Sequence, residues 1–118
     1  MIRFINCLRR RPDQSIEQFR QHFDDPKFAA LMERTAAFTG ALRFTKHATL
    51  AVQANDLVRE QRGTSAPFDG VIEYWWDNAA HLLERINSPE GQALSQEMLA
   101  YQKQFVDLSG SSAFFTEA

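Results

Sequence analysis

The chain has 118 residues, 44% of them hydrophobic and 24% charged, with a formal net charge of −2. That length fits one domain with its own core, and the near-neutral charge gives no electrostatic footprint for nucleic acid. The single cysteine, Cys7, excludes an internal disulfide framework, and no apolar run approaches the roughly 20 residues that span a bilayer.

In chain order, Ile2 to Leu8 is an apolar run rich in Ile and Phe and reads as a strand. The basic residues Arg9-Arg10-Arg11 follow it rather than precede it, the wrong order for a secretory signal. A cytoplasmic setting is therefore the expectation, and the three arginines read as a solvated turn. Ser15 and Gln18 have the spacing of a capping box, and Ile16, Phe19 and Phe23 follow at helical spacing. Asp24-Asp25-Pro26 interrupts the pattern, which resumes at Phe28, Leu31, Met32 and Thr35. One bent helix or two short ones are expected from Ser15 to about Phe38, with Gly40 as the stop.

Ala41 to Val52 reads as a second strand, Asn55 to Arg62 as a short helix, and Gly63 to Pro67 as a loop. Phe68 to Trp76 is the clearest strand. Asp77 is the expected N-cap of a helix carrying Ala79, Leu82, Leu83 and Ile86. Ser88-Pro89-Glu90 restarts a helix, with a serine cap, a proline at the first position and an acid in the first turn. Its apolar stripe is Leu94, Met98, Tyr101 and Phe105. Ser112 to Thr116 is the last strand. The order β-α-β-β-α-β predicts a ferredoxin-like α+β fold, a four-stranded antiparallel sheet with helices on one face.

An antiparallel sheet with one wet face alternates apolar and polar residues. The third strand does not. Phe68, Gly70, Ile72, Tyr74 and Trp76 share one face, while Asp69, Val71, Glu73 and Trp75 share the other. The first strand divides into Ile2, Phe4 and Leu8 against Ile5 and Cys7. The helices cover one face, and nothing in the chain is expected to cover Trp75 and Val71 unless the segment from Asn55 to Pro67 folds over them. An uncovered apolar face predicts a symmetric homodimer joined sheet to sheet.

Three segments resemble the EthD family. Phe68-Asp69-Gly70-Val71-Ile72-Glu73-Tyr74-Trp75-Trp76-Asp77 is similar to that family's "DG-x-x-E-x-W-F-D" strand. Ser88-Pro89-Glu90-Gly91-Gln92-Ala93-Leu94 is similar to its "SPEGQAL" helix start, and Phe105-Val106-Asp107-Leu108-Ser109 to its "F-I-D-L-S" segment. The resemblance implies a dimeric α+β barrel, in which two four-stranded sheets enclose a central space. It also implies an association with catabolism of apolar compounds beside an oxidoreductase system. Relatives of that barrel include cofactor-free monooxygenases, isomerases and cyclases. The family's "W-R-x-x-H-x-P" segment is altered here: the position of its histidine falls near Lys27, and His22 lies a turn or more upstream.

The candidates for chemistry follow from the third strand. Glu73, on the face of Val71 and Trp75, points into the expected lumen, where a carboxylate beside tryptophan suits general acid–base work; the plainer role is an ion pair that holds the dimer. His47 on the second strand shares a face with Arg43 and Thr45, and a His47–Glu73 pair would be a proton-transfer unit. Trp75, Val71, Arg43 and His22 are the candidate ligand contacts; Trp75 is expected to pack across the dimer interface, or else to form a wall for a flat apolar molecule. The three histidines have no zinc-ligand spacing with Cys7, and neither a glycine-rich nucleotide loop nor a serine nucleophile elbow is present. No metal or cofactor is expected. The function expected is binding of a small apolar or aromatic molecule, or, alternatively, cofactor-independent catalysis in the lumen.

Overall fold

A computed structural model describes all 118 residues. Its elements run β1 (Ile2–Leu8), α1 (Ile16–Phe23), α2 (Pro26–Thr39), β2 (Arg43–Ala48), α3 (Gln53–Arg62), β3 (Gly70–Trp76), α4 (Ala80–Asn87), α5 (Pro89–Gln102) and β4 (Ser112–Glu117). The strands form one antiparallel sheet in the order β2-β3-β1-β4. This is the ferredoxin-like arrangement, with α3 added between the two middle strands of the chain.

Local chemistry sets the helix boundaries. The Ser15 hydroxyl accepts from the Gln18 amide at 3.1 Å and the Gln18 side chain accepts from the Ser15 amide at 2.8 Å, closing the expected capping box. The helical pattern breaks into two helices because Pro26 has no N–H to continue α1. It starts α2 instead, where Asp25 caps the Lys27 amide. Ser88 caps α5 by accepting from the Gly91 amide. Asp77 does not cap α4: the cap position is Ala79, and the Asn78 side chain accepts from the Ala80 amide instead. β2 is shorter than the expected run. The chain leaves the ladder after Ala48, where the Thr49 hydroxyl bonds the Phe68 carbonyl.

The helices bury one sheet face. Leu8, Ile72, Tyr74 and Trp76 from the sheet pack with Phe19, Phe23, Phe28, Met32, Leu82 and Phe105. Phe19, Phe23, Phe28 and Phe105 meet at ring separations of 5.3–5.8 Å, within the range of favourable aromatic pairs. Gly70 admits this cluster to the sheet: a Cβ there would lie 2.8 Å from the Phe23 ring.

The three arginines after β1 are not a solvated turn. Arg9 donates to the Gly110, Ala66 and Pro67 carbonyls and stacks on Phe68 at 4.4 Å. The Arg10 amide donates to Asp69 at 2.8 Å, and Arg11 bonds Asp13 and the Lys103 carbonyl. Guanidinium groups bring five donors in a fixed fork, and here they gather loop carbonyls from three distant segments.

Candidate functional site

The face away from the helices has a regular layout because antiparallel partners point the same way. One row reads Thr116, Arg3, Trp75, Arg43 from β4 to β2. The next reads Phe114, Ile5, Glu73, Thr45. The third reads Ser112, Cys7, Val71, His47. Glu73, His47, Trp75, Val71 and Arg43 therefore share this face. Glu73 and His47 are diagonal neighbours on adjacent strands, at about 7–8 Å between backbone positions. The Glu73 charge is felt by Cys7: burial, and then that carboxylate, push the thiol above its ordinary pKa.

Trp75 is not left uncovered. It is only 7% exposed within one chain. The Arg43 guanidinium lies 4.0 Å from its ring centroid and the Arg3 guanidinium 6.0 Å away, a cation–π arrangement the apolar–polar pattern does not reveal. The segment from Asn55 to Pro67 does not seal the face either, since α3 buries none of its residues. What remains open is a mixed surface with Phe114 at its edge, 48% exposed. Arg3 Nε, Thr45 Oγ1 and Thr116 Oγ1 are buried on this face without a hydrogen-bond partner.

His22 is separated from the other candidates by the thickness of the sheet. It belongs to α1, where its ring stacks on Phe105 at 5.2 Å and its Nδ1 is 3.0 Å from the Gln18 carbonyl. Lys27, near the expected position of the family's histidine, is exposed at the start of α2. No three His, Cys, Asp or Glu side chains gather at metal-ligating distance.

An apolar pocket, partly open to solvent, lies on the helix side of the sheet. A cavity of about 350 Å³ runs between the sheet and α2, α4 and α5. Phe4, Ile72 and Trp76 form its sheet wall, and Leu82, Leu94 and Met98 its helix wall. Its exposed lining residues, Ser95, Leu99 and Phe115, mark a mouth between α5 and the edge strand β4. No charged side chain lines it. The polar groups are Thr35, Thr39, Tyr74, Asn6, Ser95 and Gln102. Trp76 Nε1 donates to the Thr39 hydroxyl at 3.1 Å, and that hydroxyl donates to the Thr35 carbonyl at 2.7 Å. Burial raises the pKa of the Tyr74 phenol well above the ordinary range, partly offset by the Thr35 hydroxyl, which approaches without meeting hydrogen-bond geometry.

The sequence reading missed Asn6 and Gln102 as site residues. Asn6 was the available signal: it is the one strongly polar residue on the helix-facing side of β1, between Phe4 and Leu8. Gln102, at the end of α5, is 3% exposed and carries no such mark in the linear pattern.

Comparison with solved structures defines the class. A dimeric protein of unknown function with a ferredoxin-like fold from Bacteroides fragilis is similar at a TM-score of 0.63 and 11% identity, over 99% of this chain and 95% of its own. An ethyl tert-butyl ether (EthD) family protein from Bacillus halodurans matches at 0.63 and 14%, over 100% and 98%. SnoaB from Streptomyces nogalater, a cofactor-independent oxygenase solved in a mutant form, matches at 0.51 and 16%, over 99% and 91%. At these identities the likeness shows the ferredoxin-like fold. The particular family comes from the sequence: the EthD domain matches residues 11–109, and the chain belongs to the EthD family. No functionally curated protein matches it.

Proposed function

We propose that this EthD protein binds a small, largely apolar molecule in the cavity between its sheet and helices, and does so as a homodimer joined through the opposite sheet face. In this role it would serve the catabolism of apolar or aromatic compounds beside an oxidoreductase. The cavity is the observation that carries the reading. Its volume of about 350 Å³ falls at the lower end of the usual ligand-site range, roughly 300–1,000 Å³. The dimer is supported by the three unpartnered buried polar atoms on the outer face, since such atoms normally find partners, and by the half-exposed Phe114 beside them. The B. fragilis relative is itself a dimer.

Titration with the neutral probe N-phenyl-1-naphthylamine tests the site. Probe emission is expected to rise and shift blue on binding, and Ser95→Trp, which plugs the mouth, is expected to abolish it. Undiminished binding by Ser95→Trp places the ligand elsewhere and refutes the cavity. Light scattering after gel filtration tests the assembly, and a monomer at micromolar concentration refutes the dimer.

A second reading is cofactor-independent catalysis between the two sheets, with Glu73 as the proton-transferring group, His47 as its partner, and Trp75, Val71 and Arg43 as walls. The shared face and diagonal register of Glu73 and His47 support it, as does the description of SnoaB. Glu73→Gln would then keep the dimer and stop turnover. A bound aromatic compound recovered unchanged after prolonged incubation in air counts against it, and dissociation of the Glu73→Gln dimer makes Glu73 an ion-pair partner instead.

A further inference from the structure

Gln102 is almost wholly buried, at 3% exposure, and lines the cavity; its side-chain amide makes no hydrogen bond within the chain but is not sealed from solvent. An amide among apolar walls needs a hydrogen-bonding partner, which a ligand or water can supply. The space it adjoins is the cavity, whose lining also includes Asn6 from the central strand β1. The two residues reach the same space from the helix layer and the sheet. Around them the walls are aromatic and aliphatic, with the rings of Phe4, Phe38, Tyr74, Trp76 and Phe115 among them, and no cation is present to receive a carboxylate.

Resting on the cavity reading above, we propose that Asn6 and Gln102 form the polar end of this site and select a neutral aromatic ligand bearing a hydroxyl or carbonyl oxygen, over the bare hydrocarbon and over the carboxylate. An amide offers both a donor and an acceptor, so either oxygen type finds a partner. A carboxylate would enter a site without a counter-charge, and desolvation opposes that. The depressed acidity of the Tyr74 phenol agrees, since the interior holds that group neutral.

Three probes of one size separate the possibilities: 2-naphthol, naphthalene and 2-naphthoate, titrated calorimetrically into the intact protein at neutral pH. One net hydrogen bond predicts about 5- to 10-fold tighter binding of 2-naphthol than of naphthalene. Naphthoate is expected to bind at least about 100-fold more weakly than naphthol. Gln102→Met keeps the shape of the side chain and removes the amide. It is expected to bring the naphthol-to-naphthalene ratio close to one, leave naphthalene affinity within about threefold, and leave Tm unchanged or higher, because no hydrogen bond within the chain is lost.

A lowered Tm with an unchanged ratio makes Gln102 a structural residue and overturns the inference, as does naphthoate binding as tightly as naphthol. Failure of all three probes to bind overturns the cavity reading and the inference with it, whereas naphthalene binding as tightly as naphthol spares the cavity and removes only the polar end. If Gln102→Met does not fold, Asn6→Leu gives the same ratio test from the sheet side.

Discussion

Replacing Gly91 with alanine should destabilise this protein, against the usual effect of that change in a helix. Alanine is favoured over glycine in a helix interior by about 1 kcal/mol. At Gly91, however, a Cβ would lie 2.0 Å from the Arg85 carbonyl oxygen and 2.9 Å from that of Ile86. Both oxygens belong to the backbone of α4, so no side-chain rotation relieves the clash, and the start of α5 must move away. Overpacking of this kind costs about 1–3 kcal/mol, and a carbonyl at such a distance puts the cost at the upper end. The same movement stretches the 3.1 Å cap between the Gly91 amide and Ser88 Oγ, which is worth about 1 kcal/mol. A net loss of about 2–3 kcal/mol follows, equivalent to roughly 10 °C in Tm for a chain of this size. Urea unfolding followed by far-ultraviolet circular dichroism reads it directly, as a lower midpoint with an unchanged slope. Gln92→Ala, at the next and exposed position, serves as the control with little change. A Gly91→Ala midpoint at or above wild type would refute the packing argument. Gly91 also lines the cavity, so the displaced helix should weaken probe binding in the same samples.

Thr39→Val orphans the buried Trp76 indole N–H and should cost about 1–3 kcal/mol; in a Trp76→Phe background most of that cost should vanish, and additive losses would show that the bond contributes nothing. Tyr101 has its pKa raised to about 12, by burial first and the Asp25 charge second, while its hydroxyl donates to the His22 carbonyl at 2.7 Å. The folded state thus holds a proton that the unfolded chain releases near pH 10, so this contribution is complete below that pH and is lost as pH rises toward 12. Tyr101→Phe should flatten the fall of Tm across that window, and an equally steep fall would dismiss the residue as its source. Removing the Glu73 charge should lower the pKa of Cys7, seen as an earlier thiolate absorbance rise near 240 nm in Glu73→Gln; an unshifted titration would mean that burial alone raises it.

The motifs that mark the family prove to be mostly architectural. Asp69 receives the Arg10 amide, Gly70 makes room for Phe23, Ser88 and Gly91 shape the elbow between α4 and α5, and Asp107 Oδ1 accepts from Ser109 Oγ and the Gly110 amide in the turn before β4. The Ser88 cap and the Asp107 turn are legible in a linear sequence because they act over a few residues, whereas Asp69 and Gly70 serve segments distant in the chain. Glu73 and Trp75 are different, since they complete no contact of this kind within the strand.

By itself, the sequence determined the strand and helix order, the break at Pro26 and the division of β3 into two faces, because hydrophobic periodicity and capping are local properties of the chain. It equally grouped Val71, Glu73 and Trp75 on one face of the third strand, and Arg43 with His47 on one face of the second; the register of β2 against β3 joined the two groups. Tertiary structure alone decided that an apolar cavity lies on the other face, that Arg3 and Arg43 cover Trp75, and that Asn6 and Gln102 adjoin that cavity. A cavity is what remains between packed elements, and a stacked guanidinium comes from a neighbouring strand. Both depend on which distant segments meet, which no spacing within a single segment encodes.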